Sequence, residues 1–312
     1  MKIVFMGTPD LAAEVLDTMM KSGCEVTLAV TQPDRPKGRG RGVIRTPVHE
    51  CADKWGIPVF SPERVKRPEA VQRLREEAPD LIVVAAFGQI LSQEILDLPR
   101  YGCVNVHASL LPKYRGAAPI QWAVINGEEK SGVTIMQMDA GLDTGDILLQ
   151  EEIPLAADET GESLYEKMAE LGGELLVKAL PMIEAGTLTP VKQDNDAASY
   201  ASMLKKEMGN INWNMPAEKI ERLVRGLNSW PGAYTFMNGK MLKIWGSEVT
   251  GRAAQGEAGT VAGTDKKSIF VNCGEGLLSL NEVQYEGKKR MSTQAFLLGA
   301  KVEQGQKLTA ER

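Results

Sequence analysis

The spacing of hydrophobic positions changes along the chain, and the change predicts where one architecture ends and another begins. Residues 2–7 (KIVFMG) are a short apolar run, followed by Thr8 and Pro9 as an N-cap and first-turn pair, a helical stretch to Lys21, and Gly23 to close it. "EVTLAVTQ" then reads as a second strand, helices follow near residues 48–55 and 67–78, and "LIVVAA", bounded by Pro79 and Gly88, reads as a further strand. A run that is apolar at every position suits a strand covered on both faces, as in a parallel sheet. Further strands are expected at "CVNVH", at "GVTIMQM" and at "DILLQEEIPL", before a long amphipathic helix from Glu162 to Glu184. Strands alternating with helices predict an α/β fold, a doubly wound, Rossmann-type parallel sheet occupying residues 1–186.

The alternation then stops. Residues 187–208 mix Pro, Asp, Asn and Ser without sustained periodicity and read as a connection between domains. Residues 209–312 contain one helical pattern, "PAEKIERLVRGLN", and then short strands separated by turn signals. Asn238-Gly239 within "AYTFMNGKMLKIWG" is the strongest hairpin signal among them. Short strands at close spacing predict a small antiparallel OB-like β-barrel, an architecture that often binds oligonucleotides.

Two polar residues break the apolar pattern where it matters. In "GCVNVHASLLPKYRG", Asn105 and His107 alternate with Val104 and Val106. Residues two apart on a strand share a face, so the amide and the imidazole point the same way while the valines fill the other side. Pro112 and Gly116 end the strand near Ala108, which puts His107 at its carboxyl end, the edge where open parallel sheets bind ligands. "MDAGLDTGD", residues 138–146, follows another strand, and its glycines allow a tight loop that brings Asp143 toward His107. These acids could instead be plain turn residues; the spacing of an EF-hand is absent. An Asn, a His and an Asp at one edge, with no Ser or Cys nucleophile beside them, point to acyl transfer between bound substrates without a covalent enzyme intermediate. The first turn, "GTPD", has one glycine where a dinucleotide fingerprint has three, and no Walker sequence occurs, which argues against NAD and ATP.

Composition adds limits. No apolar run reaches the length of a membrane span, and "MKIVFMGTPD" enters a strand without a cleavage pattern, so a cytoplasmic protein is expected. Cys24, Cys51, Cys103 and Cys273 are widely spaced and form no C-x-x-C pair, indicating reduced thiols with neither a disulfide framework nor a zinc site; no metal is expected. The net charge of −5 conceals an asymmetry: 20 Lys and Arg against 30 Asp and Glu up to residue 204, net −10, and 16 against 11, net +5, beyond it. The basic carboxyl-terminal part fits a polyanionic partner as well as it fits ordinary solvated lysines.

Asn105-x-His107 followed by "SLLPKYRG", and then "DAGLDTGD", resemble the signature of the folate-dependent formyltransferases, and Asn105, His107 and Asp143 match that family's catalytic three. "FMGTPDLAA", "TQPDRPKGRGRG", "YRGAAPIQWAVINGE" and "NSWPGAYT" extend the resemblance over the whole chain. It implies that 10-formyltetrahydrofolate is the formyl donor, leaving tetrahydrofolate, that the α-amino group of methionyl initiator tRNA is the acceptor, and that the OB-like domain assists tRNA binding. It also implies that Ser109, Leu110, Leu111 and Pro112 line the folate site. Phe87, Gly88 and Ile90, in the apolar "AAFGQIL", are expected to offer a slot for the pterin, although strand-to-helix packing would use the same residues. In such a reaction a free amine attacks the formyl carbon, and the tetrahedral oxyanion needs donors, which Asn105 and protonated His107 can supply. Asp143 could orient the imidazole and favour its charged form, or take a proton from the attacking ammonium through water.

The stretch "QPDRPKGRGRGVIRTPV" holds Arg35, Lys37, Arg39, Arg41 and Arg45 against one acid, Asp34, and its Gly and Pro content argues for a loop. Leaving the second strand, it should lie near the active edge, where Arg35, Lys37, Arg39 and Arg41 could hold tRNA phosphates, with Arg39 singled out by the resemblance. A solvated surface loop is the plain alternative. Two other readings of the chain remain: a sugar-nucleotide N-formyltransferase, which would have little use for the basic loop, and a tRNA-binding protein without activity, which would not need the intact three residues. A monomer is expected.

Overall fold

In the computed structural model, which describes residues 1–36 and 43–312, the chain divides into two compact units. The first comprises Met1–Pro119, Lys130–Pro154 and Tyr165–Ala201; the second comprises Ile120–Glu129, Leu155–Leu164 and Ser202–Arg312.

The first unit is built on a seven-stranded sheet: β1 (Ile3–Gly7), β2 (Val26–Val30), β3 (Val59–Phe60), β4 (Leu81–Ala85), β5 (Cys103–His107), β6 (Lys130–Gln137) and β7 (Ile147–Pro154), in the order β7-β6-β5-β4-β1-β2-β3. β1 to β5 run parallel, which is the Rossmann-type order 3-2-1-4-5. Every residue of β1 and β4 is buried, which explains their uninterrupted apolar runs. Asp10–Lys21, Pro47–Trp55 and Pro68–Glu77 are the helices that connect β1 to β4 in turn, and the short helix Gln93–Leu96 lies between β4 and β5. Thr46 caps the second of them, its hydroxyl accepting from the His49 amide, and Pro47 stands where a missing N–H costs nothing.

The sheet differs from an all-parallel expectation at one edge. β6 runs antiparallel to β5, with His107 opposite Thr134 and Val104 opposite Gln137, and β7 runs antiparallel to β6. The carboxyl end of β6 therefore lies beside the amino end of β5, and the loop that follows must double back to bring Asp143 to Asn105 and His107. Behind β5, the valine face is closed by the helix Gly161–Ala185: a Cβ on Gly172 would crowd Val106, and one on Gly173 would crowd Thr18 of the first helix. A helix-interior glycine costs about 1 kcal/mol relative to alanine, and here it permits close approach.

Residues 187–201 carry little regular structure, yet they are tied to the first unit. Val191 bridges Ile147, and Tyr200–Ala201 pair in parallel with Arg115–Gly116.

The second unit is an antiparallel sheet in which Ala233–Met237, Lys240–Val249, Leu277–Tyr285, Ile269–Asn272 and Val261–Thr264 follow one another as neighbours, with Leu308–Thr309 beside Ala233–Met237. Its two edges meet: Thr260 bridges Lys307, and the Leu308 amide donates to the Gly259 carbonyl at 2.7 Å, so the sheet curls into a barrel. Asn238 and Gly239 both take positive φ, 52° and 72°, as a two-residue hairpin of this type requires. The helix Ala217–Gly226 covers one end of a core that includes Trp213, Ile220, Val224, Leu242, Ile244 and Val271. Residues 120–129 and 155–164 pack with this unit; the Arg225 guanidinium, for example, donates to the Glu159 carbonyl at 2.6 Å.

Candidate active site

Strand β5 presents Asn105 and His107 on one face, as the alternation with buried Val104 and Val106 requires. His107 is 6% exposed and its ring is fixed by its surroundings. Nε2 lies 3.0 Å from the Tyr114 carbonyl oxygen, which can only accept, so this nitrogen carries a proton. Nδ1 is left facing Asp143, 3.8 Å from Oδ2. That separation is too long for a direct hydrogen bond. The Asp143 carboxylate is itself anchored, Oδ2 accepting from the Gly116 amide at 2.8 Å, while Oδ1 stands 3.5 Å from Asn105 Nδ2. An amide, an imidazole and a carboxylate thus converge, the first two from one strand and the third from a loop far along the chain.

The loops around this cluster are internally braced. Asp139 closes the turn before Asp143, accepting from the Gly141 amide and the Thr144 hydroxyl. Asp143 has φ +52°, the left-handed region that Asp tolerates better than most residues. A Cβ on Gly145 would strike the Gln137 carbonyl, so glycine is required where this loop crosses the end of β6.

Ser109, Leu110, Leu111 and Pro112 follow His107 after the single residue Ala108, with Ser109 and Leu111 buried and Leu110 and Pro112 half-buried. Their loop is held by a residue the sequence reading passed over. Thr134 Oγ1 donates to the Ser109 carbonyl at 2.6 Å and accepts from the Leu111 amide at 3.2 Å and from Gln150 Nε2 at 2.8 Å. A threonine inside the apolar strand "GVTIMQM" was the available signal. Phe87, by contrast, places its side chain in the core among Val84, Leu91 and Ile95, leaving its carbonyl to accept from Thr8 and Gln32. Gly88 turns the chain at φ +82°, and Ile90 is 81% exposed. Of the basic residues, Arg35 is exposed and pairs with Ile44 in a short ribbon; Lys37, Arg39 and Arg41 lie outside the described residues.

Residues 1–180 match the formyl transferase family and residues 203–301 match the formyl transferase C-terminal domain. The methionyl-tRNA formyltransferase of Agathobacter rectalis is 52% identical over 305 residues, covering 98% of both chains. That of Geobacter metallireducens is 49% identical over 308 residues, covering 99% of this chain and 98% of its own. The chain belongs to the methionyl-tRNA formyltransferase family. Among solved structures, WlaRD, a sugar 3N-formyl transferase crystallised with dTDP and 5-N-formyl-THF, superposes with TM-score 0.67 at 20% identity, over 93% of this formyltransferase and 99% of its own length. HypX from Aquifex aeolicus in complex with tetrahydrofolic acid gives TM-score 0.64 at 18% identity over 96% of this chain, which spans 47% of that longer protein. Likeness at this level is likeness of fold.

Among the described residues no group of three or more His, Cys, Asp or Glu side chains could hold a metal ion, and no helix is long and apolar enough to cross a membrane.

Proposed function

We propose that this formyltransferase moves the formyl group of 10-formyltetrahydrofolate to the α-amino group of methionyl initiator tRNA in the cytoplasm, by direct attack of the amine through a tetrahedral intermediate. The convergence of Asn105, His107 and Asp143 carries the reading. The attacking ammonium must first lose a proton, and a carboxylate anchored by the Gly116 amide is a suitable acceptor, directly or through water. The oxyanion that develops as the amine adds is stabilised by the Asn105 amide and by His107 Nδ1 when protonated. Nε2, engaged by the Tyr114 carbonyl, serves to hold the ring.

A covalent enzyme intermediate has no support at the site. The Ser109 hydroxyl is committed to the Lys113 carbonyl at 2.7 Å. Cys103, on β5, is buried, and burial pushes its thiol up to about 12, far from a usable thiolate. We assign Ser109–Pro112, the Phe87 and Gly88 backbone and the exposed Ile90 to the folate side.

The tRNA would be held by Arg35, Lys37, Arg39 and Arg41 and by the barrel. Asp34, which precedes these basic residues, accepts from the Thr46 amide at 3.2 Å and contacts His49 Nδ1 at 3.1 Å, so the described residues on either side of them are joined. On the barrel, Lys243 and Arg290 lie 5.4 and 4.8 Å from the Trp245 ring and Lys240 lies 6.0 Å from that of Tyr285, the mix of cations and aromatics that suits a nucleic-acid strand. The test is a transfer assay from 10-formyltetrahydrofolate to methionyl initiator tRNA, methionyl elongator tRNA and an amino-sugar nucleotide. Initiator tRNA should be preferred, and transfer favouring the sugar would overturn the reading.

A further inference from the structure

We propose that Gln193 is a positioning residue for formyl transfer, fixing Asp143 by gripping the backbone of its loop at two points. Gln193 Nε2 donates to the Asp143 carbonyl at 2.8 Å and to the Gly145 carbonyl at 2.7 Å. Its Oε1 accepts from Arg115 Nε at 3.0 Å and Nη2 at 2.8 Å, and the same Nη2 reaches Asn195 Oδ1 at 2.9 Å. One side of the amide meets two groups that only accept, and the other meets a guanidinium that only donates. The orientation of the amide is therefore determined, and a carboxylate could satisfy one side alone.

Asp143 needs such a grip. Its φ of +52° is a conformation that a non-glycine residue keeps only where the surroundings hold it, and its carboxylate must stay between Asn105 and His107. The grip is referred to the segment that also holds the carboxylate: Arg115 adjoins Gly116, whose amide donates to Asp143 Oδ2, and both pair with Tyr200–Ala201. Gln193 thus ties the Asp143 loop, by its backbone, to the piece of chain that binds its side chain. It reaches none of the three reacting groups' side chains, so its contribution passes through Asp143.

The inference rests on the assignment of Asn105, His107 and Asp143 to the reaction. It is tested on the full chain with Gln193→Ala and Gln193→Glu, with Asn105→Ala as a control, measuring kcat, KM for methionyl-tRNA and for 10-formyltetrahydrofolate, and Tm. Glutamate keeps the contact with Arg115 but sets a carboxylate against two carbonyl oxygens. Both Gln193 variants should lose about 10- to 100-fold in kcat, the effect of a misplaced reacting group, with both KM values within about 2-fold of the parent. Retained kcat in either variant would overturn the proposal, Gln193→Glu because the donation to the loop would then be dispensable. A loss confined to KM would also overturn it, moving Gln193 to substrate binding. Full turnover in Asn105→Ala would remove the site assignment and the proposal together, whereas an inactive Asn105→Ala beside an active Gln193→Glu would remove the proposal alone.

Discussion

Replacing Thr134 by valine isolates what one buried hydroxyl does for the loop that follows His107. The side chain is fully buried and valine nearly matches its shape, so no cavity opens. What changes is the hydrogen bonding: the Ser109 carbonyl loses its donor at 2.6 Å and the Leu111 amide loses its acceptor at 3.2 Å. Gln150 Nε2 keeps its second partner, the Leu111 carbonyl at 2.9 Å. At about 1.5 kcal/mol each, toward the lower end of the range of about 1 to 3 for a buried orphan, the two backbone groups put the loss near 3 kcal/mol. Thr134→Ser keeps the hydroxyl and removes one methyl, for about 1 kcal/mol. Urea denaturation of both variants should rank serine above valine by about 2 kcal/mol, the difference of those two figures. Hydrogen exchange should show the Leu111 amide deprotected in the valine variant alone, and KM for the formyl donor should rise with it. A valine variant as stable as the serine variant, with Leu111 still protected, would mean that the hydroxyl does not hold the loop.

Asn105→Ala and His107→Ala should each lower kcat by about 10²- to 10³-fold with little change in KM, as loss of an oxyanion donor does; turnover within a few-fold of the parent would take that residue out of the reaction. Asp143→Asn should be as damaging, and because asparagine accepts positive φ readily, its melting temperature should be unchanged, so a large drop in Tm would point to a structural role instead. Burial pushes the thiols of Cys103 and Cys273 up to about 12 and about 11, so iodoacetamide at pH 8 should leave both unmodified until urea is added, as peptide mass mapping would show. Burial pushes the Asp17 carboxyl up, but hydrogen bonds from Lys21, Lys54 and Trp55 pull it down further, to well below the carboxylate range. Its stabilisation is therefore complete above the unfolded carboxyl value of about 4 and fades as pH falls below it. The stability gap between the parent and Asp17→Asn should accordingly be constant near neutrality and shrink through acid titration, and a gap unchanged below pH ~3 would contradict the assignment.

The local chain alone determined those features that depend on spacing between near neighbours. Alternation in "CVNVH" put Asn105 and His107 on one face because a strand repeats every two residues, and unbroken apolar runs in β1 and β4 marked strands covered on both sides. Asn238-Gly239 announced its hairpin because few other residues accept two consecutive positive φ values. The longer motifs carried the family. Tertiary structure decided the rest, for reasons that periodicity cannot contain. Hydrophobic spacing is blind to strand direction, so β6 could be recognised as a strand without revealing that it runs against β5 and that Asp143 must be carried back over the face. Phe87 and Ile90 belong to one apolar run, yet positive φ at Ala86 and Gly88 turns the chain so that the first is 2% and the second 81% exposed. Thr134 and Gln193 escaped notice because what each holds in place is the backbone of distant residues. Every residue type but proline offers the same amide and every residue the same carbonyl, so such contacts leave no residue code and exist only once folding has brought the segments together.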